Sequence, residues 1–182
     1  MKKITIIILA LICSTAALAQ NANSSATQTA NLNLSDAIEI AFTATGNNSG
    51  SVVNLMFNNV NDYANGIESG DYQIRVRSNK KFDIEIEAVD DYFSYSGTTS
   101  PAPQMKIKDV LDMKISANNT GGQINSGYHQ YKHVDGDHDA RILNDCDRGG
   151  NQTFSVKYRA TPGFSYPAGT YTTTIIYTAT QD

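Results

Sequence analysis

G-T-Y-T-T-T-I-I-Y-T-A-T, residues 169–180, is the stretch whose reading decides the fold. From Thr170 to Thr180 every side chain except Ala179 is β-branched or aromatic, the types that fit a pleated, half-buried surface. The run follows a loop containing Pro167 and predicts one closing strand. A strand of about 12 residues is long for a globular protein and is stable only beside other strands.

Working outward, the neighbouring segments repeat the two-residue period. Phe154, Val156, Tyr158 and Ala160 alternate with Ser155, Lys157 and Arg159, and residues 161–168, with Pro162, Gly163 and Pro167, form the connecting loop. Tyr72, Ile74 and Val76 alternate with Gln73, Arg75 and Arg77, and after S-N-K-K the set Phe82, Ile84, Ile86 alternates with Asp83, Glu85, Glu87. A tight hairpin would set Arg77 across from Asp83 and Arg75 across from Glu85, opposite charges that support the register. The same turn could instead carry the chain between two sheets. Ile38, Ile40 and Phe42 mark a strand with one wet face. Residues 52–57 read as a short buried strand and residues 58–65 as a polar segment anchored by Val60 and Tyr63. Tyr92, Phe93 and Tyr95 read as edge-strand packing, with sugar stacking as the alternative. Leu111, Met113, Ile115 and Ala117 share one face of a strand, while residues 106–111 also fit a helical turn. Residues 123–150 are the least patterned part.

About seven to nine short strands with regular turn signals and no long helix predict an all-β, antiparallel β-sandwich. No internal period of solenoid or propeller length is present.

The first residues bound the compartment. Lys2 and Lys3, the apolar run at residues 4–12 and Ala17-Leu18-Ala19 form a signal-peptide pattern, with residues 1–19 removed, a leader at 20–30 and the sandwich domain at 31–182. The apolar run is too short for a membrane span. The expected product is secreted, passing through the periplasm to the outside or the cell surface, with no membrane insertion after cleavage. Losing both lysines takes the formal charge from −4 to −6, a balance that argues against nucleic acid. Losing Cys13 leaves Cys146 as the single cysteine, read as a buried or merely tolerated thiol, with an intermolecular bridge or a reactive thiol as the alternative; its N-D-C-D context disfavours the thiolate.

The densest set of ligand-type side chains is residues 128–147, Y-H-Q-Y-K-H-V-D-G-D-H-D-A-R-I-L-N-D-C-D. Asp135, Asp137 and Asp139 with Gly136 between them resemble the start of a calcium loop, since closely spaced oxygen donors suit Ca²⁺. The pattern then fails, with Ala140 where glycine and Cys146 where the bidentate glutamate belong. His129 and His133 have zinc-helix spacing, with His138 beyond them, but Gln130 replaces the general-base glutamate. No G-x-S-x-G nucleophile elbow occurs. The reading is therefore non-enzymatic, with no catalytic residue and no cofactor beyond the calcium candidates. The alternative is a calcium-assisted, carbohydrate-directed binding module using residues 128–147.

Residues 154–180, F-S-V-K-Y-R-A-T-P-G-F-S-Y-P-A-G-T-Y-T-T-T-I-I-Y-T-A-T, resemble the C-terminus of secreted bacterial β-sandwich proteins of the fimbrial-subunit and spore-coat-protein-U-like type. In that pattern a proline or alanine and a glycine precede a Tyr/Thr-rich strand, here Pro167, Ala168, Gly169 and Tyr171. S-N-K-K-F-D-I-E-I-E-A, residues 78–88, resembles a strand pair that accompanies this ending. The resemblance implies an immunoglobulin-like sandwich used at the cell surface for adhesion or assembly, with other surface proteins or copies of itself as partners. Two departures stand out. Fimbrial subunits commonly carry a disulfide, which one cysteine cannot make. They also accept a strand from a neighbour's N-terminal extension, whereas residues 21–30 lack alternating large apolar side chains. Leu32, Leu34 and the Ile38 run read as the domain's own first strand.

Overall fold

The computed structural model describes residues 24–43, 50, 52–134 and 140–182. The chain divides into two units, residues 1–34 and 35–182. Residues 24–34 carry no helix or strand, so Leu32 and Leu34 stand outside the first strand. The second unit holds β1 (Ile38–Thr43), α1 (Val60–Asn65), β2 (Ile67–Glu68), β3 (Tyr72–Ser78), β4 (Phe82–Ala88), β5 (Ser94–Ser96) and α2 (Ile107–Val110). It continues with β6 (Leu111–Asn119), β7 (Gln123–Ile124), β8 (Lys132–His133), β9 (Ala140–Cys146), β10 (Gly149–Ala160), β11 (Thr170–Thr172) and β12 (Ile175–Gln181).

Seven of these strands have six or more residues, and they form an antiparallel β-sandwich. The first sheet runs β1-β3-β10-β6-β8, with β2 also on β10, and the second runs β12-β4-β9-β7. A separate two-stranded ribbon joins β5 to β11. Ile74, Val76, Met113, Phe154 and Val156 from the first sheet form one buried cluster with Phe82, Ile84, Ile142 and Leu143 from the second. Each such side chain stabilises the fold by about 1.5–3 kcal/mol relative to its exposed state.

The charge-paired hairpin between β3 and β4 does not form. Arg75 pairs with Ala41 and Thr153 across the first sheet, while Glu85 pairs with Thr178 and Arg141 across the second. The turn at residues 79–81 therefore carries the chain between sheets, so both strands turn their apolar faces into one core. The acidic face of β4 is matched from β9 instead, by Arg141 at 2.9 Å from Asp83 and 3.3 Å from Glu85. Arg77 turns to Glu39 on β1 at 3.4 Å.

The closing run is also two strands rather than one. Thr170–Thr172 pairs with β5, Thr173 and Thr174 belong to neither strand, and Ile175–Gln181 pairs with β4. The division falls opposite the end of β4, where Val89 N–H donates to Thr174 O at 2.9 Å. Residues 52–57 are not a strand. Val53, Leu55 and Phe57 pack on the core, but the segment joins no ladder among the described residues, and Val52 and Met56 are exposed.

Both readings of residues 106–117 are realised, as the turn α2 followed by β6. Helix α1 lies where only a polar segment was expected. Asp62 N–H donates to Asn59 Oδ1 at 3.2 Å, while Asn59 N–H donates back to Asp62 Oδ2 at 3.0 Å, a reciprocal cap that closes the first turn.

Candidate functional site

The most distinctive surface is where the two sheets' edges meet, along β1 and β12. Strand β1 pairs only with β3, and β12 only with β4, among the described residues. Direct opposition across an antiparallel pair puts side chains on one face. Ile38, Ile40 and Phe42 thus share the inward face of Ser78, Val76 and Ile74, as Ile175, Tyr177 and Ala179 share that of Ala88, Ile86 and Ile84. The interior strands' members of these pairs are buried; the edge members are not. Ile38 retains 38% and Phe42 39% of its surface in solvent, and Ile175, Tyr177 and Ala179 are half-buried.

The two edges run antiparallel beside one another, with Cα atoms coming within 8 Å. At one end Gln181 Nε2 donates to Ala37 O at 2.9 Å, Ser78 Oγ at 2.8 Å and Asn79 Oδ1 at 3.0 Å. Further along, the rings of Phe42 and Tyr177 meet edge-on at 5.8 Å. No backbone hydrogen bond joins β1 to β12 among the described residues. Paired strands lie about 4.8 Å apart, so the contact is a seam held by side chains.

Tyr177 anchors this seam to the core. Its hydroxyl meets that of Tyr158, on β10 of the opposite sheet, at 2.6 Å, and its ring lies 6.3 Å from Phe154. Burial pushes the Tyr158 phenol up to about 12, with the Tyr177 hydrogen bond acting the other way. Burial, followed by the proximity of Tyr158, raises Tyr177 well above the ordinary tyrosine value. The pair is a neutral polar bridge between sheets and has no acid–base role near neutral pH.

Strand β12 itself carries no charged side chain. Residues 160–181 contain no Asp, Glu, Lys or Arg, and no proline follows Pro167. Natural edge strands are usually blunted by charge, proline or a bulge; β12 carries none of these, and its ladder with β4 is regular.

The residues singled out from sequence lie elsewhere. Asp135, Asp137, Asp139 and His138 are outside the described residues. His129 sits exposed in a turn and His133 in β8, so the pair does not share a helix. His133 Nδ1 lies 2.7 Å from Asp112 Oδ1, and Arg159 holds the other carboxylate oxygen at 2.9 Å. That cluster reads as a structural network on the outer face of the first sheet. Among the described residues no group of three or more His, Cys, Asp or Glu is arranged to hold a metal.

Cys146 is buried on β9, and Thr120 Oγ1 lies 3.2 Å from its sulfur. Its thiol is pushed up first by burial, then by Asp83, Asp147 and Asp145, against the lowering effect of Thr120. The acidic sequence context contributes, but burial is the larger cause. Tyr95 packs on Tyr171 at 5.0 Å across the β5–β11 ribbon, as edge-strand packing requires.

The seam was invisible to residue-type searches, because its members are ordinary strand residues. The uncharged run at residues 160–181 was its one signal in the sequence. Comparison with known proteins finds no family model and no curated protein that matches this chain.

Proposed function

We propose that the protein is a secreted, non-enzymatic surface component, fimbria-like in its use, that assembles with copies of itself or other surface proteins by strand addition at the β1–β12 seam. The observation that carries this reading is the uncharged, unblunted outer edge of β12, with half-buried apolar side chains on its inward face. An added strand would pair with free backbone groups and cover Ile175, Tyr177 and Ala179, the two components of affinity and specificity in strand addition. Seating a strand between β1 and β12 requires their backbones to part to about 10 Å, twice the ordinary strand spacing. Among the described residues that opening is opposed by the side-chain contacts of Gln181, the Phe42–Tyr177 ring pair and the tie of Tyr177 to Tyr158 and Phe154. Secretion rests on the signal-peptide pattern of residues 1–19. The fimbria-like character rests on the C-terminal resemblance.

Size-exclusion chromatography with light scattering across a concentration series tests the proposal, with Thr178→Lys as the key variant. Thr178 is exposed and faces Glu85 across the ladder, so the lysine gains an opposite charge within the fold while blunting the edge. Concentration-dependent assembly that the variant loses at unchanged melting temperature is the expected result. A strict monomer at every concentration, or assembly indifferent to the lysine, contradicts it.

A further inference from the structure

Six aromatic rings outside β1 and β12 form two groups of three, brought from four separate parts of the chain. Phe57 lies 5.3 Å from Tyr63, and Tyr63 is nearly parallel to Phe164 at 5.8 Å with an interplanar angle of 22°. Tyr171 contacts Tyr95 at 5.0 Å and Tyr166 at 6.4 Å. The two groups are joined by one loop, which carries Phe164 in the first and Tyr166 in the second. None of the six is fully buried, and Phe164 keeps 68% of its surface exposed while one face rests on Tyr63.

The cluster is rigidly mounted. Tyr95 Oη donates to Ala168 O at 3.0 Å and Tyr171 Oη to Pro167 O at 2.8 Å, pinning the loop that presents Phe164 and Tyr166. Tyr63 stands on α1, whose Asn59–Asp62 cap fixes it. The segments that carry Tyr95, Phe164, Tyr166 and Tyr171 are uncharged and hydroxylated. Thr161, Ser165, Thr170 and Thr172 are exposed, and residues 160–181 contribute no charge. Asp62, the nearest carboxylate in sequence to Tyr63, already accepts from Asn58 N, Asn59 N and Asn59 Nδ2.

We propose that this cluster is a binding platform for a neutral oligosaccharide, with the outer face of Phe164 as its central stacking surface. A pyranose ring offers an apolar C–H face to an aromatic ring and hydroxyls around its rim. A fixed, uncharged aromatic surface edged by hydroxyls matches both halves of that chemistry, and rigid rings lose little conformational freedom on binding. An anionic ligand would find no cation within residues 160–181, and a basic peptide would find no free carboxylate there.

The test is a titration of the full chain, observed by two-dimensional NMR, with cellohexaose, chitohexaose and maltohexaose, and with a polyproline peptide for comparison. Saturable binding of at least one saccharide, with shifts confined to residues around Phe164, is expected, and Phe164→Ala should weaken it about tenfold or more. Ile176→Ala, on the exposed face of β12, should leave it unchanged. Failure of all three saccharides overturns the proposal. So does preferential binding of the peptide, or a Phe164→Ala variant that alters only oligomeric state. Because Thr178→Lys leaves this surface intact, loss of assembly and loss of saccharide binding are separable.

Discussion

β4 and β12 are neighbours in one sheet, pair along their whole length and carry the same two-residue alternation. Their surroundings differ. β4 lies between β12 and β9, and Phe82, Ile84, Ile86 and Ala88 are all buried. β12 has β4 on one side only, and its inward set of Ile175, Tyr177, Ala179 and Gln181 is half-buried throughout. The contrast teaches that alternation predicts which way a side chain points, while the number of flanking strands decides how dry it becomes.

The largest separation of the two strands should come from truncation. Phe82→Ala removes a fully buried ring and should cost about 3–5 kcal/mol in chemical denaturation. Ile175→Ala, on the same face of the edge strand, should cost about 1 kcal/mol, since only part of its surface leaves water on folding. Equal costs would break the comparison.

A smaller effect tests how Tyr177 ties the edge to the core. Tyr177→Phe leaves the buried Tyr158 hydroxyl without its partner and should cost about 1–3 kcal/mol, whereas the double Phe variant should lose less than the sum of the single changes. The same pair sets an alkaline limit. Both phenols have folded values above the ordinary 10.0, so their contribution is intact below that value. It is lost as pH rises through the folded values, because the unfolded chain releases its protons first. Denaturation midpoints should therefore hold to about pH 9 and decline above about pH 10. The double Phe variant should show a flatter alkaline limb; an unchanged limb would assign the loss to other groups.

The smallest effect belongs to Gln181. Gln181→Ala removes an amide whose two N–H groups are shared among three acceptors at the end of the seam but no core packing, and should cost about 1 kcal/mol or less. Its clearer signature should be faster amide exchange at the start of β1, with β4 unaffected.

The β-sandwich was legible because five of its seven long strands announce themselves by alternation and a sixth by its β-branched and aromatic run, and because turn residues separate them. What stayed hidden has local causes. β9 was missed because its pairing with β4 shifts register between Ile84 and Glu85 and again between Phe82 and Ile84. Ile142 and Leu143 are consequently buried as consecutive residues, and the two-residue period disappears. Helix α1 was missed because its capping side chains are polar and make an N-N-V-N-D segment look like a loop. The β3–β4 charge pattern misled because Arg77 finds Glu39 on its own sheet, while Asp83 and Glu85 find Arg141 on theirs. The seam was harder to read for a different reason: which strand ends a sheet follows from long-range pairing, and the uncharged run at residues 160–181 was its one local signal.

Residue-resolved amide hydrogen exchange, compared between dilute and assembled protein, tests the open edge most directly. In dilute solution protection should alternate along β12, with amides facing β4 slow and those facing outward fast, while β4 is protected throughout. In the assembled state the outward amides should become slow as well. Uniform protection of β12 in dilute solution, or outward amides that stay fast after assembly, would contradict the claim that this edge receives a strand.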